Sequence, residues 1–85
     1  MKVEELEVVV LARDLPKYSL KAGDVGTIVG VYPGDKIEVE FVKPSGKTQA
    51  LLPLSLKDVR KIGEDDILSI RPATRVGEKK SKYKV

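Results

Sequence analysis

The chain contains no cysteine, no histidine, no tryptophan and no asparagine, and Gln49 is its single glutamine. Without Cys or His there is no disulfide, no thiolate nucleophile, no Cys/His zinc site and no imidazole base. Most catalytic arrangements are thereby excluded, and no cofactor or metal is expected. Long apolar runs are missing too: none approaches the roughly 20 residues that span a bilayer. The first residues, Met1-Lys2-Val3-Glu4-Glu5, are acidic where a signal peptide is basic and then apolar. These features point to a cytoplasmic protein with no membrane partner. The scarcity of amides beside abundant Lys, Glu, Ile and Val resembles the bias of thermophile proteins.

At 85 residues the chain makes one domain, and a domain of that size buries only about 60% of the surface its unfolded form exposes. Such a thin core has no room for a deep enclosed pocket, which favours a surface binder over a small-molecule enzyme. The net charge of +3 is unevenly spread. Residues 1–72 hold 11 Lys/Arg against 12 Asp/Glu, whereas residues 73–85 hold 5 against 1. A phosphate-binding domain carries its positive charge on the folded surface; here it belongs to the C-terminal tail.

The most informative stretch is Leu20 to Phe41, which reads as a bend, a β-prone strand, a four-residue turn and an alternating strand. Before it, Leu6 to Ala12 is β-branched and too short for a typical helix, so it predicts a first strand. Arg13 to Gly23 then predicts an irregular loop of about ten residues, of the length that often forms a binding lip. The second strand runs from Val25 to Tyr32, with Val25, Ile28 and Val31 expected inside and Gly26 and Gly30 allowing the ribbon to coil. Gly23 and Asp24 belong to the bend before it, where the Asp24 carboxylate is suited to accept backbone amides. Pro33 and Gly34 fit the centre of a type II turn.

In the third strand Ile37, Val39 and Phe41 share one face, with Glu38 and Glu40 on the other. Pro44-Ser45-Gly46 makes the next turn. Lys47 to Leu52 is a fourth strand that Pro53 ends, and Ser55 caps a 3₁₀ turn over Ser55 to Asp58. Val59 to Ile62 returns to strand. Ile67 to Arg71 predicts a final short strand after the acidic turn Glu64-Asp65-Asp66. Five to six short strands with Gly/Pro punctuation predict an all-β SH3-like barrel over residues 1–72, followed by a flexible, disordered basic tail over 73–85. A five-stranded OB-type barrel is the main rival, but the short Pro44-Ser45-Gly46 turn leaves no room for its helix.

Asp14-Leu15-Pro16, Leu20-Lys21-Ala22-Gly23-Asp24-Val25-Gly26-Thr27-Ile28-Val29, Val31-Tyr32, Glu38-Val39-Glu40-Phe41, Asp58-Val59-Arg60 and Glu64 to Arg71 together resemble a family of small prokaryotic domains of unknown function. More loosely, the Gly23-Asp24-Val25-Gly26 bend resembles KOW-type and other SH3-like barrels. The resemblance implies a stand-alone barrel acting as a protein-interaction or accessory module, in some relatives as the antitoxin-like partner of a neighbouring protein. It implies no catalytic residue.

Among candidate sites, the glycine-rich bend lacks the helix and the lysine-serine pair of a phosphate loop, so a structural turn is the stronger reading. Glu64, Asp65 and Asp66 read as a solvated acidic turn before a cation site. Tyr18 and Tyr32 are the leading candidates for contact with an unidentified protein partner, with Leu15, Pro16 and Leu20 completing the lip. Each tyrosine could equally cover the thin core. No tryptophan is present to build a proline-rich-peptide groove. Arg75, Lys79, Lys80, Lys82 and Lys84 could grip RNA or DNA through salt-sensitive contacts, which gives a KOW-like nucleic-acid accessory protein as the alternative reading.

Overall fold

The computed structural model describes residues 2–73. Five antiparallel strands form one sheet: β1 (Val8–Leu11), β2 (Val25–Tyr32), β3 (Lys36–Val42), β4 (Thr48–Ser55) and β5 (Val59–Lys61). Their order in the sheet is β4-β3-β2-β1-β5, so three hairpin-linked strands lie beside β1 and the last strand returns to its far side. Two 3₁₀ turns, Pro16–Tyr18 and Leu56–Asp58, are the only helical pieces among the described residues. No helix there is long and apolar enough to cross a membrane.

Alternation builds the core. Val9 and Leu11 of β1, Ile28 of β2, Ile37, Val39 and Phe41 of β3, Ala50 and Leu52 of β4, and Val59 of β5 converge on one face. Val39 stands opposite Ile28 on one side and opposite Leu52 on the other, so the register itself aligns the inward rows. Register shifts between Ile28 and Gly30 and between Phe41 and Val42 bend the long strands, as bulges do when a sheet must coil around a small core.

The faces of β2 differ from those expected. Val25 stands opposite Val10, outside the core cluster, and is 41% exposed. Val31 is 42% exposed at the strand's far end. The interior positions are taken by Gly26 and Ile28, because a glycine is what the core geometry demands at the first of them. A methyl group at Gly26 would lie 2.6 Å from Val39 Cγ1 and 2.9 Å from Phe41 Cε1. The bulge then turns Gly30 under the ring of Tyr32. An apolar-face rule assigns no side to glycine, so the pattern Val25/Ile28/Val31 was the visible one.

Three further boundaries moved for physical reasons. The first strand is shorter than Leu6 to Ala12, because Leu6 adopts φ 70°, and only Val8–Leu11 are in the ladder. Strand β4 runs through Pro53 to Ser55. It is an edge strand, where a missing N–H can face solvent at no cost to the ladder. The type II turn became a three-residue connection, Pro33 to Asp35, with φ 76° at Gly34 and 63° at Asp35. A two-residue type II turn would splay the strands, and left-handed residues restore their twist.

The predicted 3₁₀ turn forms over Leu56–Asp58 with a reciprocal cap. The Ser55 hydroxyl accepts the Lys57 amide and the Asp58 carboxylate accepts the Ser55 amide at 2.9 Å. By contrast, the strand expected over Ile67 to Arg71 is absent: residues 62–73 hold no regular element. A strand exists only where a neighbour completes its ladder, and among the described residues no backbone bond reaches residues 67–71. The expected tail lies, apart from Ala73, outside the described residues.

Candidate functional site

The loop between β1 and β2 is fastened from within. Leu15 and Leu20 bridge to each other through Leu15 N to the Leu20 carbonyl, 2.8 Å, and both side chains are buried in the core cluster. They therefore hold the loop down, with most of each side chain turned into the core and not onto the lip expected of them. Pro16 starts the first 3₁₀ turn and is exposed. Tyr18 packs against the core, its ring beneath Lys17 Nζ at 5.7 Å and its carbonyl accepting Gln49 Nε2 at 3.1 Å. Two aspartates complete the fastening. Asp14 Oδ1 accepts the Ala22 amide at 2.9 Å, and Asp24 Oδ2 accepts the Lys21 amide at 2.8 Å. Gly23 donates its amide to the Leu11 carbonyl at 2.8 Å, closing the bend.

Tyr32 is placed differently. Its ring lies over Gly30, half-exposed, and its hydroxyl donates to Glu38 Oε1 at 3.1 Å. That hydrogen bond, with the carboxylate's negative charge, raises the tyrosine pKa above its ordinary value. Glu40 is likewise engaged, accepting Thr48 Oγ1 at 2.6 Å.

Beside Tyr32 runs an open groove of about 430 Å³, between the β2–β3 turn, the end of β4 and the second 3₁₀ turn. Ile37, Pro53 and Leu54 line it together with Tyr32, Lys36, Arg13 and Asp58. The two walls are tied where Leu56 donates its amide to the Asp35 carbonyl at 3.0 Å. Arg13 reaches Asp58 through Nε at 2.7 Å. The same guanidinium holds the Asp58 carboxyl below the usual range, assisted by the Ser55 amide.

Two smaller clefts, of about 340 and 210 Å³, flank Arg71 at the fastened loop. Arg71 Nε donates to Asp24 Oδ1 at 3.0 Å, and its Nη2 donates to Asp24 Oδ2 and to the Ser19 carbonyl, the latter at 2.9 Å. Bonding to Asp24 raises the arginine pKa further. Among the described residues no group of three Asp, Glu, Cys or His side chains could hold a metal ion. In the acidic turn, Asp66 is already taken by Arg60 at 2.8 and 2.9 Å and by the Gly63 amide at 2.6 Å.

Residues 5–61 match the family described as a domain of unknown function, DUF4926. The chain belongs to the DUF4926 family. No curated protein and no solved structure matches it. The matched span ends with β5, so it contains the groove and leaves out Asp66 and Arg71. Arg75, Lys79, Lys80, Lys82 and Lys84 lie outside the described residues. Within the DUF4926 domain, Arg13, Lys36 and Asp58 are the groove residues that the sequence did not disclose. Arg13 and Asp58 meet across 45 positions, a separation over which no periodicity or motif signals contact.

Proposed function

We propose that this DUF4926 domain is a non-enzymatic, SH3-like interaction module that takes an extended peptide of a protein partner in the groove between Tyr32 and Arg13. The strand order β4-β3-β2-β1-β5 with a 3₁₀ turn before the last strand supports the barrel assignment. The observation that carries the binding reading is the groove itself. Ile37, Pro53 and Leu54 line it together with the amphipathic Tyr32 ring and the Arg13 guanidinium, which is paired with Asp58. Tyrosine and arginine at the edge of an apolar trough are the residue types that dominate interface energies. A shallow trough with no cluster of acids or nucleophiles suits binding and offers no reactive cavity.

Peptides selected from a random display library against the full chain give the test. Amide shifts on titration should cluster at Arg13, Tyr32, Lys36, Leu54 and Asp58, and Tyr32→Ala should weaken the selected peptides at least tenfold with little change in thermal midpoint. Shifts confined to another face, or a library that yields no binder, would sink the reading. Retention of RNA or DNA in a low-salt gel shift, lost on removing residues 73–85, would instead support a nucleic-acid accessory role.

A further inference from the structure

Residues 62–73 are fastened at two points and free between them. Asp66 grips Arg60 and the Gly63 amide, and Arg71 bonds the Asp24 carboxylate and the Ser19 carbonyl of its own chain. Among the described residues no backbone bond reaches residues 67–71. In the same stretch Ile67, Leu68 and Ile70 are 90%, 69% and 98% exposed. Unpaired main chain and uncovered side chains therefore coincide over four residues.

Elsewhere the two conditions are kept apart. Leu6 is 77% exposed, but its amide donates to the Ile28 carbonyl at 2.6 Å and its φ of 70° is far from extended. Tyr32 and Leu51 are half-exposed, yet each stands in a ladder, opposite Lys36 and Glu40 respectively. The loop from Arg13 to Gly23 is closed by Asp14, by Asp24 and by the bridge between Leu15 and Leu20. A protease requires both conditions at once, because its cleft pairs with an extended substrate backbone while a pocket takes a side chain. Segments with few backbone bonds and few buried contacts are the ones that open to it.

We propose that the peptide bond between Leu68 and Ser69 is a cleavage site for an endoprotease whose specificity pocket accepts a large aliphatic side chain. Leu68 is unbranched at Cβ and enters such a pocket more freely than Ile67 or Ile70, which are stiff at χ1. Hydrolysis breaks the C–N bond with one water: the Leu68 carbonyl carbon takes the oxygen and becomes a carboxylate, and the Ser69 nitrogen takes both hydrogens and leaves as an ammonium group. The cut lies beyond β5 and outside the matched span of residues 5–61, so it spares the core cluster. It also separates charge. Residues 1–68 hold 10 Lys/Arg against 12 Asp/Glu, and residues 69–85 hold 6 against 1, so the domain goes from a net +3 to −2. Past the cut, the polar contacts that reach back among the described residues are those of Arg71 with Asp24 and Ser19, a partly exposed hold that salt screens. Nothing in this step involves the groove beside Tyr32, so either proposal can fail without the other.

Limited digestion of the full chain with chymotrypsin, read by intact-mass spectrometry, is the test. Its apolar pocket favours aromatic residues over leucine, so accessibility and side-chain preference make opposite forecasts. Within residues 1–73 the first cut in the folded protein should follow Leu68, ahead of Tyr18, Tyr32 and Phe41; in the heat-unfolded chain the aromatic sites should be cut first. The product, residues 1–68, should keep the amide spectrum of residues 8–61. Leu68→Phe should quicken the cut at least tenfold, whereas Leu51→Phe, at an exposed position inside the ladder, should add no cut of its own. A first cut at an aromatic residue, no cut within residues 1–73, a product that unfolds, or a new cut after position 51 as fast as that after 68 overturns the proposal.

Discussion

Residues 8–61 and residues 62–73 are held by different forces, and the contrast explains the molecule's behaviour. In the first region eleven buried side chains from five strands and one loop form a single cluster, and its charges are peripheral. In the second, Ile67, Leu68 and Ile70 face solvent and the hold comes from two Arg–Asp pairs. Apolar burial is roughly proportional to area and is not screened by salt, whereas partly exposed ion pairs are weak and are screened. One region is therefore held by a shared apolar core, and the other is a strap held by ion pairs near its two ends.

The largest effect should come from removing the one aromatic ring among the buried residues of the core cluster. Phe41→Ala is expected to lower stability by about 3–5 kcal/mol, read as a collapse of the thermal midpoint. Next comes Gly26→Ala, which forces Val39 and Phe41 aside and should cost about 1–3 kcal/mol, measured by urea denaturation. An equal midpoint for Gly26→Ala and the unaltered protein would show that the contact at 2.6 Å relaxes freely.

Arg71→Ala should sharpen the contrast from the other side. The midpoint should move by no more than about 1 kcal/mol of stability, while the exchange of the Lys21 and Asp24 amides, which close the bend that Arg71 grips, quickens. A large fall in midpoint would mean that residues 62–73 belong to the cooperative unit.

The smallest effect is one of pH. The Arg60 guanidinium first, and then the Gly63 amide, lower the Asp66 pKa to about 2. A depressed folded-state pKa means that the carboxylate's contribution is complete above about pH 4 and is lost as pH falls towards 2. Residues 63–66 should therefore loosen on acidification through that window, visible as line broadening at Gly63. Asp66→Asn should abolish the pH dependence there, and an unchanged profile in that variant would assign the transition to another group.

How much of this was legible beforehand differed by region. The period of two in Ile37-Glu38-Val39-Glu40-Phe41 already separates a core face from a wet one, and Ser55 with Asp58 already contains the cap. Pro33-Gly34 already marks the hairpin. The groove was hidden because its walls, Arg13, Tyr32, Lys36 and Asp58, come from four places in the chain. Tyr32 could be nominated from its position beside a turn, but nothing local distinguishes Arg13 from the other cations. Leu15 and Leu20 looked like an apolar lip because a loop's hydrophobic residues carry no periodicity to say which way they face.

Local chemistry thus determined the strands, their turns, the lone 3₁₀ cap and the exclusion of imidazole and thiol chemistry, since each depends on residues a few positions apart. Tertiary structure decided which side of the second strand is inside, that Asp24 receives Arg71 across 47 positions, and that Ile67 to Ile70 has no neighbour to make it a strand. The physical reason is common to all three. Packing and pairing are relations between segments, and a segment's own sequence specifies what it can offer but not what it will meet.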